Sequence, residues 1–165
     1  MYLTADEWRE IGLKPKKVNF SEPYLLEYFL SDVSEQHNNH IQKIADNLHL
    51  KRYRLWDTSV KDLFVTGPDE FLYLIDHAAL VCTDSYHATI FSILFERPFI
   101  VYPRGHMNSR IDTLLQTFGF EDRKNTIVSS DIILKMSFTK CEKELELRRK
   151  EYKLYIQSII GNNNC

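Results

Sequence analysis

His87 is the side chain best placed to do chemistry. It stands in Thr83-Asp84-Ser85-Tyr86-His87-Ala88-Thr89, after the apolar run Ala79-Leu80-Val81-Cys82 and before Ile90-Phe91-Ser92-Ile93-Leu94-Phe95. The first run is too short for a helix and does not alternate, as expected of a strand buried on both faces of a parallel sheet. Asp84 and Ser85 are both favourable N-cap residues, and the apolar residues after them cover most of a helix circumference. His87 therefore falls in the first turn of a mostly buried helix, just past the carboxyl end of a strand. Ligands bind there in open α/β sheets. Free backbone N–H groups and the positive dipole end suit an anion, and a histidine can touch a phosphate or carboxylate and exchange a proton near neutral pH. A hydrogen-bonded structural histidine is the competing reading, and spacing alone leaves both open.

A second set follows the next strand, Pro98-Phe99-Ile100-Val101-Tyr102, in a loop carrying Arg104, His106, Asn108, Ser109 and Arg110. Parallel strands would bring this loop beside the His87 turn, so that Arg104 and Arg110 fork onto phosphate or carboxylate oxygens. The plainer alternative pairs Arg110 with Asp112 or Glu121 on the surface. His37 and His40 lie three apart on a helix face expected to be solvated, without a third metal ligand. His49 and His77 sit near helix ends, where capping of carbonyls explains them. Ser85 is not in a G-x-S-x-G elbow, and no glycine-rich phosphate loop is present.

The elements that must position these residues alternate. Thr4 and Glu7 form a capping-box pattern for a short helix ended by Gly12. Residues 23–30 read as a buried strand, Ser34 caps a helix to about Leu48 with Ile41, Ile44 and Ala45 inward, and Lys51 to Trp56 is a more exposed strand. Pro68 opens a helix with acids in its first turn. Asn108 or Ser109 caps one that Gly119 ends. Residues 126–128 suggest a last short strand. A charged helix runs from about Lys140 to Ile160, with Leu145, Tyr152, Ile156 and Ile159 on one side. Strands alternating with helices at this spacing predict βαβ units: an α/β, Rossmann-like parallel sheet flanked by helices, with 1–165 as a single domain.

Composition narrows the function. A formal net charge of −2 argues against a nucleic-acid footprint, which would need a basic stripe. Cys82, Cys141 and Cys165 are odd in number and scattered, which argues against a disulfide framework and for a reducing cytoplasm. No apolar run reaches the roughly 18 residues of an integral membrane segment.

The sequence also resembles a known family. Gly67-Pro68-Asp69-Glu70-Phe71-Leu72, the segment Val81 to Ser92, Arg97-Pro98-Phe99, and Asn108-Ser109-Arg110-Ile111 with Leu114-Leu115 look like the C-terminal half of the polysaccharide pyruvyl transferases. Leu3-Thr4-Ala5-Asp6-Glu7-Trp8 and residues 23–28 fit as well. The resemblance implies two Rossmann-like domains in a glycosyltransferase-B-like architecture, this chain being the C-terminal one. It implies transfer of enolpyruvate from phosphoenolpyruvate onto a sugar of a surface polysaccharide, giving a pyruvate ketal, with phosphoenolpyruvate as donor substrate and no cofactor. The expected partners are a saccharide acceptor, free or lipid-linked at the inner face of the membrane, and an N-terminal domain that members carry ahead of this segment. Alone, the chain is expected to bind donor weakly and not turn over.

His87 matches the family's cleft histidine and is the catalytic candidate. The donor-binding candidates are Ser85, Tyr86, Thr89, Arg104, Asn108, Ser109 and Arg110, and no metal ligands are assigned. Phosphoenolpyruvate carries nearly three negative charges, so a helix N-terminus and arginines suit it. Whether the histidine supplies the proton or holds the departing phosphate stays open. Two other readings remain: half of a sugar-nucleotide glycosyltransferase, or a non-catalytic module of the same fold.

Overall fold

The computed structural model describes residues 3–16, 20–58, 63, 66–104, 109–124 and 133–161. Helix α1 (Ala5–Ile11) starts at Thr4, whose hydroxyl accepts from the Glu7 N–H while the Glu7 carboxylate accepts from the Thr4 N–H, and Gly12 caps its end. Strand β1 (Tyr24–Tyr28), helix α2 (Glu35–Asn47), strand β2 (Lys51–Arg54), helix α3 (Pro68–Asp76), strand β3 (Leu80–Thr83), helix α4 (Tyr86–Leu94), strand β4 (Phe99–Val101) and helix α5 (Ser109–Phe118) follow, then a 3-10 turn (Glu121–Arg123) and helix α6 (Thr139–Gly161). Gly119, at φ +74°, ends α5 in a conformation that costs other residues.

The strands form one parallel sheet in the order β2-β1-β3-β4, with Leu26 opposite Tyr53 on one side and Val81 on the other. Lys124 adds an isolated parallel bridge to Val101; the expected strand at 126–128 lies outside the described residues. Helix α2 packs on one face, through Ile41, Ile44 and Ala45 against Leu25, Leu80, Cys82 and Ile100. On the other face Leu74, Ile93, Leu115 and their neighbours make the larger core. The step from β1 to β2 runs one way with α2 on its face, and the steps to β3 and β4 run the other way with α3 and α4 on the opposite face. Right-handed crossovers require this split. It places a topological switch between β1 and β3, whose carboxyl ends open a crevice.

Sequence and structure part company at α2 and α6. His37 and His40, expected on a solvated face, are half-buried: their rings meet Tyr102 at centroid distances of 4.9 and 6.0 Å. Tyr102 itself is almost fully buried at the end of β4. The stripe on α6 outruns the body it packs on, since Leu145 is buried but Tyr152 and Ile159 are 48% and 45% exposed.

The neutral ring of His40 is the form that fits, with Nδ1 3.1 Å from the Tyr102 hydroxyl. Burial, aided by nearby His37 and Lys43, holds its pKa below the ordinary 6.5. The unfolded chain takes up a proton near that value and the folded chain only at lower pH. The stability His40 contributes above pH 6.5 is therefore lost as pH falls through the folded value. We expect His40→Gln to lose less of its urea midpoint than the wild type between neutral and mildly acidic pH. Equal losses would show that His40 is not the group responsible.

Candidate functional site

Asp84 sets the geometry of the crevice. The sequence offers it as a helix cap, but Ser85 takes that role, its hydroxyl accepting from the Ala88 N–H. Asp84, only 1% exposed, turns to the loop after β1. There it accepts from the N–H groups of Leu30 at 2.7 Å and Ser31 at 3.0 Å and from the Ser31 hydroxyl. It also accepts from Arg104 Nε at 3.1 Å, so the loop after β4 is tied in as well. Thr83 donates its hydroxyl to the Tyr28 carbonyl at 2.5 Å and accepts from the Ser85 N–H at 2.9 Å. One buried carboxylate and one buried hydroxyl thus hold three strand ends in register.

Helix α4 starts from that anchor. Ser85 and Thr89 are buried, and the Thr89 hydroxyl donates to the Ser85 carbonyl at 2.8 Å. Both hydroxyls are thus committed to the helix backbone. The first N–H groups of the helix have no intrahelical acceptor, so Tyr86 and His87 present theirs at its positive end. His87 is exposed and meets the Tyr86 ring edge-on at 5.8 Å. The Arg110 guanidinium lies over that same ring, 5.6 Å from its centroid.

Two cavities open here. His87 shares one of about 450 Å³ with Trp8, Tyr28, Trp56, Phe71 and Phe91. Gly67 and Pro68 at the start of α3 also line it, so two helix N-termini reach the same hollow. Burial, then the negative charge of Asp84, pushes the Tyr28 phenol up, which keeps it a hydrogen-bond donor. Tyr86, Ser109 and Arg110 instead line a second cavity of about 480 Å³, closed by Leu145 and Arg148 of α6. The structure therefore gathers Tyr86, Ser109 and Arg110, puts His87 next door, and sets Arg104 on Asp84. Asn108 and His106 lie outside the described residues. Of the two surface partners expected for Arg110, Asp112 pairs with Lys124 at 2.6 Å. His77 does cap its own helix, Nδ1 standing 2.9 Å from the Tyr73 carbonyl. Among the described residues no three His, Cys, Asp or Glu side chains group to hold a metal, and no helix is long and apolar enough to cross a membrane.

Sequence reasoning passed over the aromatic wall. Trp56 closes the predicted strand and Phe71 falls in the helix that Pro68 opens; a large aromatic at the carboxyl end of a parallel strand is the available signal.

Replacing Asp84 by Ala removes bonds to a charged acceptor and strands the Arg104 cation. We expect a loss of about 2–4 kcal/mol in unfolding free energy, with Leu30 and Ser31 amide exchange faster by roughly 10²-fold, since each factor of ten is about 1.4 kcal/mol. A melting temperature within about 2 °C of wild type would deny Asp84 this role.

No curated protein and no solved structure matches the chain. A family model described as polysaccharide pyruvyl transferase matches residues 2–106, which takes in every strand of the sheet and the whole His87 turn. The chain belongs to the polysaccharide pyruvyl transferase family.

Proposed function

We propose that this chain handles the phosphoenolpyruvate donor in a pyruvyl transfer that leaves a cyclic pyruvate ketal on a saccharide acceptor. The observation that carries this reading is the position of His87: an exposed imidazole in the first turn of a buried-flanked helix, at the carboxyl edge of the sheet, inside the family-matched segment. The donor anion sits against the N–H groups that open α4, where its charge is favoured. Arg110, steadied over Tyr86, and Ser109 meet it from the second cavity. Ser85, Thr89 and Arg104 act as positioning residues, the first two by fixing the helix start and the third by holding Asp84.

The chemistry balances without a redox partner. The methylene carbon of the donor takes a proton and becomes a methyl group while one sugar hydroxyl oxygen bonds to the carbon bearing the phosphate. The bond from that carbon to the phosphate oxygen then breaks, and its electron pair leaves with the phosphate. A second hydroxyl of the same sugar takes the vacated place. Of the two hydroxyl protons released, one is matched by the methyl group and the other leaves with the phosphate. His87 is the group we assign to deliver or collect a proton in this sequence.

With the family's N-terminal domain joined ahead of this chain, His87→Ala should lower phosphate release from phosphoenolpyruvate plus saccharide by roughly 10²–10⁴-fold, with the melting temperature unchanged because the side chain is exposed. Phosphorus NMR line broadening of phosphoenolpyruvate by the protein supplies a binding readout independent of turnover. Near-normal release by the variant would remove the imidazole from the mechanism. A larger thermal shift from a nucleotide sugar than from phosphoenolpyruvate would replace this reading by glycosyl transfer.

A further inference from the structure

Helix α6 changes character along its length. Its first half packs on the body: Cys141 and Leu145 are buried, and the Arg149 guanidinium still donates to the Leu3 carbonyl at 3.4 Å. From Lys150 to Ile160 every residue except the half-buried Ile156 is exposed. This exposed part nevertheless ends in an apolar tip. Residues 154–160 run Leu-Tyr-Ile-Gln-Ser-Ile-Ile, five apolar residues of seven and none charged. Leu154, Tyr155 and Ile160 are 66%, 61% and 62% exposed, more than isolated surface apolar residues require.

The arrangement of the tip says what covers it. Consecutive helical residues are turned by about 100°, so Leu154, Tyr155 and Ile156 point to three different sides. Ile159 and Ile160 lie one turn on from Tyr155 and Ile156 and repeat two of those sides. A groove on another protein, or a second copy of α6, covers one side of a helix and leaves another in water. A hydrocarbon surface covers them all. Charge then selects the kind of surface. Behind the tip stand Arg148, Arg149, Lys150 and Lys153 against Glu151 alone, a net charge of +3 over residues 148–161 in a chain whose total is −2. The rest of the chain therefore carries −5. Arg148 is paired with Glu144 at 2.8 Å, whereas Lys150 and Lys153 flank the tip as exposed cations.

We infer that the end of α6 seats in the surface of an anionic lipid bilayer, with Leu154, Ile156 and Ile160 entering the acyl region and Lys150 and Lys153 against the headgroup phosphates. A basic amphipathic helix lies at such a boundary through buried apolar area and attraction to anionic lipid together. Lysine stems lie along the apolar layer while their ammonium groups stay among the headgroups. Tyr152 and Tyr155 carry an apolar ring and a polar hydroxyl, which suits the same boundary. Residues 154–160 span about 10 Å as a helix, against a hydrocarbon core of about 30 Å. The tip therefore enters one leaflet and goes no further, in keeping with a chain in which no described helix is long and apolar enough to cross. The remaining −5 is repelled by that surface, so contact is made through the end of α6 and the crevice stays in water. This inference does not rest on the pyruvyl-transfer reading.

The full chain is sedimented with vesicles of phosphatidylcholine in which one lipid in three is phosphatidylglycerol, and with vesicles of phosphatidylcholine alone. It should bind the anionic vesicles with an apparent Kd on the order of 10⁻⁴ M in lipid, the strength of a single acyl anchor, and release them as salt is raised. Lys150→Ala with Lys153→Ala should weaken binding roughly tenfold or more, and so should Leu154→Ser with Ile160→Ser. All four side chains are exposed, so both double variants should melt within about 2 °C of wild type. Without vesicles, sedimentation velocity should show a monomer. No binding to anionic vesicles, equal binding to neutral ones, or undiminished binding by either double variant would overturn the inference. A dimer lost in Leu154→Ser with Ile160→Ser would give the tip to a second copy instead. Vesicle binding that disappears once the family's N-terminal domain is joined ahead of this chain would give it to that domain.

Discussion

A buried carboxylate between the two strand ends at a topological switch is the constraint on which the rest depends. In a parallel sheet every strand delivers its chain to the same edge, and the switch between β1 and β3 leaves a gap there. Asp84 fills that gap with charge rather than with apolar bulk. A carboxylate removed from water needs hydrogen bonds on both oxygens and an opposite charge nearby. Leu30, Ser31 and Arg104 supply all of these. Because those donors come from the loops after β1 and β4, satisfying one side chain fixes three loops. Ser85 is then free to cap α4, and the first turn of that helix, with Tyr86 and His87, is set relative to the sheet.

A second buried carboxylate works the same way at the sheet's other side. Glu27 in β1 is 1% exposed and accepts from Arg52 at 2.7 Å and Arg54 at 2.6 Å on the neighbouring edge strand. Asn38 of α2 accepts from both arginines. This cluster locks β2 to β1 and α2 over both, so the strand end that becomes Leu55 and Trp56 has a fixed origin. β2 is held by this charge cluster as well as by the buried Tyr53 and Leu55, whereas β3 and β4 are held by apolar burial on both faces.

How much of this was legible in the sequence follows from the range of the forces involved. Local signals read through: the Thr4–Glu7 box, Ser34 and Ser85 as caps, Pro68 at a helix start, Gly119 at a helix end. Each is settled within four residues. The uniform apolar run before Asp84 read through too, because a strand covered on both faces has no alternation to misread. What failed were partnerships across the fold. Nothing within a helical turn of Asp84 says that its acceptors will meet the backbone of Leu30. Nothing near His37 and His40 says that Tyr102 will lie under them. The positive φ of Trp56 has no signature in Trp56-Asp57-Thr58.

Two cavities meet at the start of α4, one lined by His87 and aromatic rings and the other by Tyr86, Ser109 and Arg110. The proposed trianionic donor and a saccharide make opposite demands: the first wants N–H groups and guanidinium, the second a surface that covers its C–H face and leaves its hydroxyls wet. Tyr86 touches both sides, under Arg110 through its face and against His87 at its edge, so the two environments lie adjacent without mixing. Charge at the helix start strengthens as water is excluded, and an aromatic wall excludes water without offering competing acceptors. Both hollows open at the start of α4, and Asp84, by binding Leu30, Ser31 and Arg104, holds the loops around that start.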